Sequence, residues 1–566
     1  MIEEVKIRCV DTETVYDVPV GTSLKELAAG ACSGMEVRQI LAALVDNKLK
    51  SLEYKVHNPH NVKFLDYSHP DGRRTYVRSL CFVLQKVVRE LYPDKVLAID
   101  YSLPSGLYCE IREVSHMEDG RPKICFVTDE EVEKIEAAMR EVVRRDLPFF
   151  KKMVSAEEAK AIFSANHQAA KVDLLESLGR FNYNVYYLDG AVDTFYGPLA
   201  PSTGCLATFA LMGFNDGFCL QYPMYGDPGR VLPMKRQSKL ATALKNHSDW
   251  CSIMGVSGVG ALNETVLDGK VVDLINLSEA LHERMYADIA DQIYARRGSV
   301  KIVFIAGPSS SGKTSTSKRL ALQCRILGMN PKVIELDNYF VDRHLTPRDE
   351  NGEYDFEALG AMDLAFLGKQ LNELLEGKVV EIPKFDFKEG KRYFNGNMMQ
   401  LHEKDILIME GIHALNPAMI PSVDPSKVFR VYASALTSLS IDENNNISTS
   451  DNRMLRRMIR DNRTRGVIPE ETIMRWASVR RGENRNIFPY QENADAVFNS
   501  AHIFELPVLK YYAEPLLRRI SPSSPAYTEA VRMLKFLDYI VALSPAEIAA
   551  IPPTSILREF IDGQTL

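Results

Sequence analysis

The stretch that most constrains this chain lies just past its midpoint. Residues 301–306, KIVFIA, are a short apolar run suited to a buried parallel strand. Gly307, Pro308, Ser309, Ser310, Ser311, Gly312, Lys313 and Thr314 follow and satisfy GxxxxGK[ST]. Beyond Ser315 a helical pattern, SKRLALQCRIL, begins. Strand, glycine loop and helix in that order make an α/β unit with a parallel sheet flanked by helices. The residue types have physical reasons. Glycines let the backbone curl so that successive N–H groups converge on phosphate oxygens. The helix start adds partial positive charge. Lys313 is a point charge for the outer phosphates, and Thr314 offers a hydroxyl to Mg²⁺. Residues 307–315 are therefore the expected nucleotide contacts.

Two carboxylates follow at strand ends. Residues 332–336, KVIEL, read as a second strand ending at Asp337-Asn338-Tyr339-Phe340. In a parallel sheet those ends face the ligand. Asp337 there can take the proton of an attacking hydroxyl, or simply cap a turn. DILIMEGI, 405–412, reads as a third strand and places Glu410 where it can hold Mg²⁺ or serve as a turn residue. Arg453, Arg456, Arg457 and Arg460 then recur at helical spacing, extended by Arg463 and Arg465. Such a run is either a solvated basic face or a lid whose guanidiniums meet a transferring phosphate.

At 566 residues the chain has room for three or four domains. Residues 1–66 read as a small α+β unit. There VKIRCV and TVYDVPV are strands, LKELAAGA is a helix and a further helical stretch lies near MEVRQILAALV. A second unit runs from 67 to about 225, ending at the turn-rich YPMYGDPG. Residues 226–298 look mostly helical, and 299–566 hold the phosphate loop and a C-terminal helix. A net charge of −7 argues against binding nucleic acid by bulk charge. No apolar run reaches 18 residues, so no membrane span is expected. Nine cysteines without a CxxC pair fit reduced thiols in a cytoplasm.

GPSSSGKTS, LDNYF, YDFEALGAMD, IPKFDF, IMEGI, RRMIRDNRTRG and ENADAVFNS, in that order, resemble the uridine kinase family of P-loop nucleoside kinases. The resemblance covers about residues 301–500. It implies a five-stranded parallel sheet and transfer of the ATP γ-phosphate to a nucleoside 5′-hydroxyl, with ATP and Mg²⁺ as cofactors. It makes Asp337 the base, and Glu357 a holder of the ribose hydroxyls. It places Arg457 near the substrate, Arg460 and Arg465 in the lid and Glu410 beside the metal, and Arg463 of the same run is expected to close with that lid. Phe385 and Gly390 stand where the family has Tyr and His, and Val467 replaces a lid arginine. Phe385 can stack on a base, but hydrogen-bond readout of a pyrimidine is altered. A P-loop kinase acting on another alcohol, such as a sugar phosphate, therefore stays open. So does an ATP-switched regulator bound to RNA or the ribosome.

The front half resembles other proteins. Residues 1–66 look like a TGS domain. Residues 67–225 resemble the second additional, editing domain of threonyl-tRNA synthetase, through GRRTYVRSLCFVLQKVVRELYPD, PSGLYCEI, DLPFFKKMVSAEEAKAIF and VDTFYGPLAPSTG. That family's two His, Cys and His ligands are replaced by Arg78, Phe82, Phe195 and Leu199. None of these binds a metal, so no zinc and no hydrolytic editing are expected. A retained scaffold is favoured over RNA binding, because Arg73, Arg74, Arg78 and Lys86 make only a thin basic patch. The expected partner is a small-molecule nucleoside, with homo-oligomerisation open.

Overall fold

In the computed structural model the described residues are 4–31, 39–104, 106–118, 121–231, 233, 237–349, 352, 354–437 and 439–566. Five parallel strands organise the C-terminal half. They are β1 (Ile302–Ala306), β2 (Asn330–Glu335), β3 (Asp405–Glu410), β4 (Val428–Ser434) and β5 (Ala496–Asn499). Their spatial order is β2-β3-β1-β4-β5. Ile302 pairs with Leu407 on one side and Val428 on the other. Every residue of β1 and β3 is buried, as their unbroken apolar runs require of strands covered on both faces. The strand order reverses at β1, so the crevice for a ligand opens where β1 ends and the glycine loop begins. β2 starts two residues earlier than its apolar run suggests and stops before Leu336. β3 ends at Glu410, which leaves Gly411 and Ile412 in the following turn.

Helices α1 (Lys313–Ile326) and α2 (Leu364–Leu375) follow β1 and β2. The arginine run lies on α3 (Thr449–Arg465), which α4 (Pro469–Asn486) follows. The Ser448 side chain caps the start of α3 by accepting from Ser450 N–H, and Gly466 at φ 66° ends it in the left-handed region. Four further helices, Glu505–Arg518, Tyr527–Leu537, Pro545–Ala549 and Arg558–Ile561, lead the chain back across α1 and α3.

The front of the chain begins with a five-stranded sheet holding Glu4–Cys9, Thr14–Pro19, Ala42–Val45, Lys48–Lys50 and His60–Leu65. Here one expectation is corrected. The helix read near 35–45 falls partly outside the described residues, and Ala42–Val45 is a strand antiparallel to His60–Leu65. All four of its residues are buried. A short all-apolar run has no polar face to reveal its period, so pairing decides. Next, the 22-residue helix Pro70–Leu91 packs with a second antiparallel sheet that includes Lys95–Leu103, Gly106–Glu118 and Gly217–Gln221. Helices Ser238–Ile253, Val259–Leu267 and Val271–Ala295 connect this region to β1.

Charged residues join front and back. Lys171 is fully buried, 3.1 Å from Asp193 and 2.8 Å from Asp442 of the loop before α3. Asn445 donates to the Thr194 carbonyl at 3.1 Å, and Ile99 N–H to the Glu443 carbonyl at 2.7 Å. A second chain runs Arg74–Glu529 (2.7 Å), Glu529–Arg532 (2.6 Å) and Arg532–Asp451 (2.7 Å), ending in the first turn of α3. Among the described residues no helix is long and apolar enough to cross a membrane.

Candidate active site at the glycine loop

The loop turns tightly as β1 ends. A side chain at Gly307 would collide with the Ala433 carbonyl of β4, so only glycine lets the loop leave the sheet here. Ser310 (φ 58°) and Gly312 (φ 79°) take left-handed conformations that wrap the backbone around the start of α1. Lys313 Nζ donates back to the Pro308 carbonyl at 3.5 Å, spanning the mouth of the loop. Thr314, one residue into α1, donates from Oγ1 to Glu410 Oε1 at 2.6 Å. That bond ties the helix to the end of β3.

Three carboxylates surround Lys313. Burial raises the pKa of Asp337, just past β2, and Lys313 and Arg465 oppose the rise. Burial pushes Glu410 up to about 7, with Lys313 opposing and Asp337 reinforcing. Burial also pushes Glu357 to about 7, reinforced by Glu483 and opposed by Arg457. Glu357 lies against α4 at Gly482, where an added Cβ would stand 2.6 Å from the Glu357 Cβ. The Asn486 side chain donates to the Glu357 carbonyl at 2.7 Å. Acids crowded around one lysine in a desolvated crevice repel one another. The arrangement suits a site that receives additional cations.

Thr314 and Glu410 offer two hard oxygens side by side, the donor type Mg²⁺ prefers. Mg²⁺ takes one or two protein oxygens and completes its shell with water and phosphate, so this sparse pair fits it. Among the described residues no group of three or more His, Cys, Asp or Glu is placed to hold a metal. At the four front-half positions the side chains pack instead. Arg78 donates to the Pro198 carbonyl at 2.6 Å and lies over the Tyr196 ring. The Phe82 and Phe195 ring centroids are 5.5 Å apart, and Leu199 is buried.

The arginines of α3 divide into three sets. Arg453 and Arg456 are fully buried and serve the loop's backbone. Arg453 donates to the Ser309 carbonyl at 2.9 Å and pairs with Glu483 of α4, whose Oε1 accepts from Ser309 N–H at 3.1 Å. Arg456 pairs with Glu505, and Ser500 donates to the Ser311 carbonyl at 2.6 Å. Arg457, Arg460 and Arg465 gather around Asp461 at 3.3, 2.9 and 3.4 Å. Arg457 also donates to Ser309 Oγ at 2.8 Å. Arg463 turns away from this group toward the C-terminal segment, donating to Asp562 Oδ1 at 2.8 Å and the Glu559 carbonyl at 3.1 Å. Phe385 sits farther along the crevice, half-buried, with its ring 5.8 Å from that of Phe340 and its N–H donating to Asn338 Oδ1 at 3.3 Å.

Sequence reasoning missed Glu483, Glu505, Asp461 and Glu559. Glu483, Glu505 and Glu559 are each defined by a partner far along the chain, whereas Asp461 meets Arg457 and Arg465 at i,i+4 spacing on α3 itself, a signal the sequence did hold. The other available signal was the count of arginines on α3, too many to be solvated together once one helix face is buried.

Two segments of the chain match known proteins. Residues 302–505 match the model of the phosphoribulokinase/uridine kinase family. The N-terminal half matches threonine–tRNA ligases. The Desulforamulus reducens enzyme is 30% identical over 206 residues, covering 36% of this chain and 31% of that one. The Rubrobacter xylanophilus enzyme is 29% identical over 204 residues, covering 34% and 30%. The chain thus spans about a third of the length of the curated relatives it matches. Among solved structures, a possible uridine kinase from Bacillus stearothermophilus is 18% identical at a TM-score of 0.25, covering 37% of this chain and 97% of that one. A D-glycerate 3-kinase from Cryptococcus neoformans is 12% identical at a TM-score of 0.21, covering 45% and 87%. With the parallel sheet, the left-handed glycine loop and the carboxylates around its lysine, the matched segment makes residues 302–505 a P-loop kinase region of the phosphoribulokinase/uridine kinase family, set behind a front half similar to threonine–tRNA ligases.

Proposed function

We propose that this chain transfers the γ-phosphoryl group of ATP to the 5′-hydroxyl of a nucleoside of the uridine or cytidine kind. The observation that carries the proposal is Asp337, a half-buried carboxylate just past β2 whose pKa desolvation raises and whose strongest opposing charge is Lys313 of the loop. An acid whose pKa is raised by burial is a better proton acceptor than an exposed one. The loop N–H groups and Lys313 hold the triphosphate. Asp337 accepts the hydroxyl proton as the new O–P bond forms and the bond to the leaving ADP breaks. Thr314 and Glu410 would hold Mg²⁺, which would supply charge neutralisation. Glu357 and Arg457 orient the sugar, and Arg460 and Arg465 bring positive charge to the transferring group.

A second acceptor class, a sugar phosphate, is favoured by Arg343. Its Nε would lie 2.7 Å from a Cβ at Gly390, so it fills the space beside that glycine. Among the described residues it donates only to carbonyls, those of Phe387 and Lys388. An arginine without a carboxylate partner suits an anionic substituent. The test is ADP release from ATP and Mg²⁺ over a panel of nucleosides and sugar phosphates. Asp337→Asn should lower turnover on the true acceptor by roughly 10²–10⁴-fold while ADP still binds. Lys313→Ala should lose nucleotide binding. Near wild-type turnover by Asp337→Asn would remove the base from the mechanism.

A further inference from the structure

The last stretch of the sequence lies on the glycine loop. Ile556 packs against Gly312 so closely that a side chain there would collide with it. The helix Arg558–Ile561 then sets Glu559 against the first turn of α1. Ser315 Oγ donates to Glu559 Oε2 at 2.5 Å, and Ser315 N–H donates to the same oxygen at 3.3 Å. Gln564 Nε2 donates to Ser315 Oγ at 2.7 Å. The segment is tied down on both sides. Lys318 donates to the Leu566 carbonyl at 2.9 Å, and Arg463 holds Asp562 at 2.8 Å. The Arg456 guanidinium covers the Phe560 ring.

The first N–H groups of a helix have no partner within it, and in a phosphate-binding loop these groups grip the ligand. Ser315 supplies one of them, together with a hydroxyl aimed the same way, one residue beyond Thr314. Both donors are bound to a carboxylate. A carboxylate and a phosphate oxygen are competing anions for one N–H and O–H pair, and placing both there would add like-charge repulsion. We infer that residues 551–566 form an autoinhibitory strap over the donor site, with Glu559 holding Ser315 against the nucleotide until a phosphate displaces it. The inference rests on the reading of the loop as a nucleotide site. It also accounts for Arg463, which pins the strap rather than joining Arg457, Arg460 and Arg465 around Asp461.

The experiment is calorimetric titration of the full chain with ADP and Mg²⁺. Glu559→Gln keeps the side chain's size but halves the strength of its bond to Ser315 and removes the repulsion. It should tighten ADP binding about tenfold, the scale of one charged hydrogen bond. Asp562→Asn, which removes the ion pair from Arg463 to the strap but leaves its bond to the Glu559 carbonyl, should shift affinity the same way by a smaller factor. Each variant's melting curve, superimposed on that of the wild type, shows that the fold is kept. Unchanged or weaker ADP binding by Glu559→Gln overturns the strap. Lys313→Ala separates the two ideas. If it binds ADP as the wild type does, the nucleotide site itself is misplaced. If it abolishes binding while Glu559→Gln changes nothing, the site stands and the strap falls.

Discussion

Glu410 is where function is expected to cost stability, and the amount follows from its surroundings. The side chain is 8% exposed, and burial pushes its pKa from an ordinary 4.5 to about 7, Lys313 notwithstanding. A folded-state pKa above the unfolded one means that the nucleotide-free protein loses stability as pH rises from about 4.5 to 7, because the unfolded chain ionises first. At about 1.36 kcal/mol per unit, the loss at pH 8 is about 3 kcal/mol. Glu410→Gln cannot ionise and can still accept from the Thr314 hydroxyl. It should therefore stabilise the nucleotide-free kinase region by about 3 kcal/mol at pH 8, falling below about 1 kcal/mol at pH 5. The assay is thermal unfolding of both proteins across that range in metal-free buffer. On the proposed function, the same substitution should also remove most Mg²⁺-dependent turnover, since activity is often traded against stability where an acid is held in an unfavourable state. A stability difference that does not change with pH, or a variant less stable at pH 8, would show that Glu410 is not desolvated as described.

Two other substitutions probe the scaffold. Glu483→Ala leaves Arg453 buried without its partner and frees Ser309 N–H. It should destabilise by about 3–5 kcal/mol and weaken ADP binding, read by denaturation and titration. Loss of neither would mean that α4 does not support the loop. Lys171→Met leaves Asp193 and Asp442 facing each other without a cation. It should cost a similar 3–5 kcal/mol and make the 439–449 segment more sensitive to limited proteolysis, while the Ser309 and Arg453 contacts persist. Unchanged protease resistance would show that the halves are held together by other contacts.

Much of the site was legible in the sequence because its parts are local. A phosphate loop needs a strand, glycines, a lysine and a helix start in unbroken order, and residues 302–326 have them. Asp337 and Glu410 could be placed because each stands at or just beyond the end of an apolar strand. In a parallel sheet, those ends gather on one side. The strand at Ala42–Val45 was not legible, since four apolar residues in a row fit a helix or a strand equally well. Nor were the separate tasks of the α3 arginines, all of which present the same charge at the same period.

By itself, then, the amino-acid order determined the loop, three of the strands of the sheet it hangs from and the acids at two strand ends, because those follow from covalent neighbours and the side-chain period. Only the tertiary structure decided which arginines are buried against Glu483 and Glu505, which encircle Asp461, and which reaches over to Asp562. Except for Asp461, which meets Arg457 and Arg465 one turn away on α3, those partners lie 30 to 100 positions apart, and a buried charge is assigned by whatever opposite charge the packed chain brings within reach. The seat of Glu559 on Ser315 was decided in the same way, by a closing stretch of chain folded back some 240 residues onto the loop.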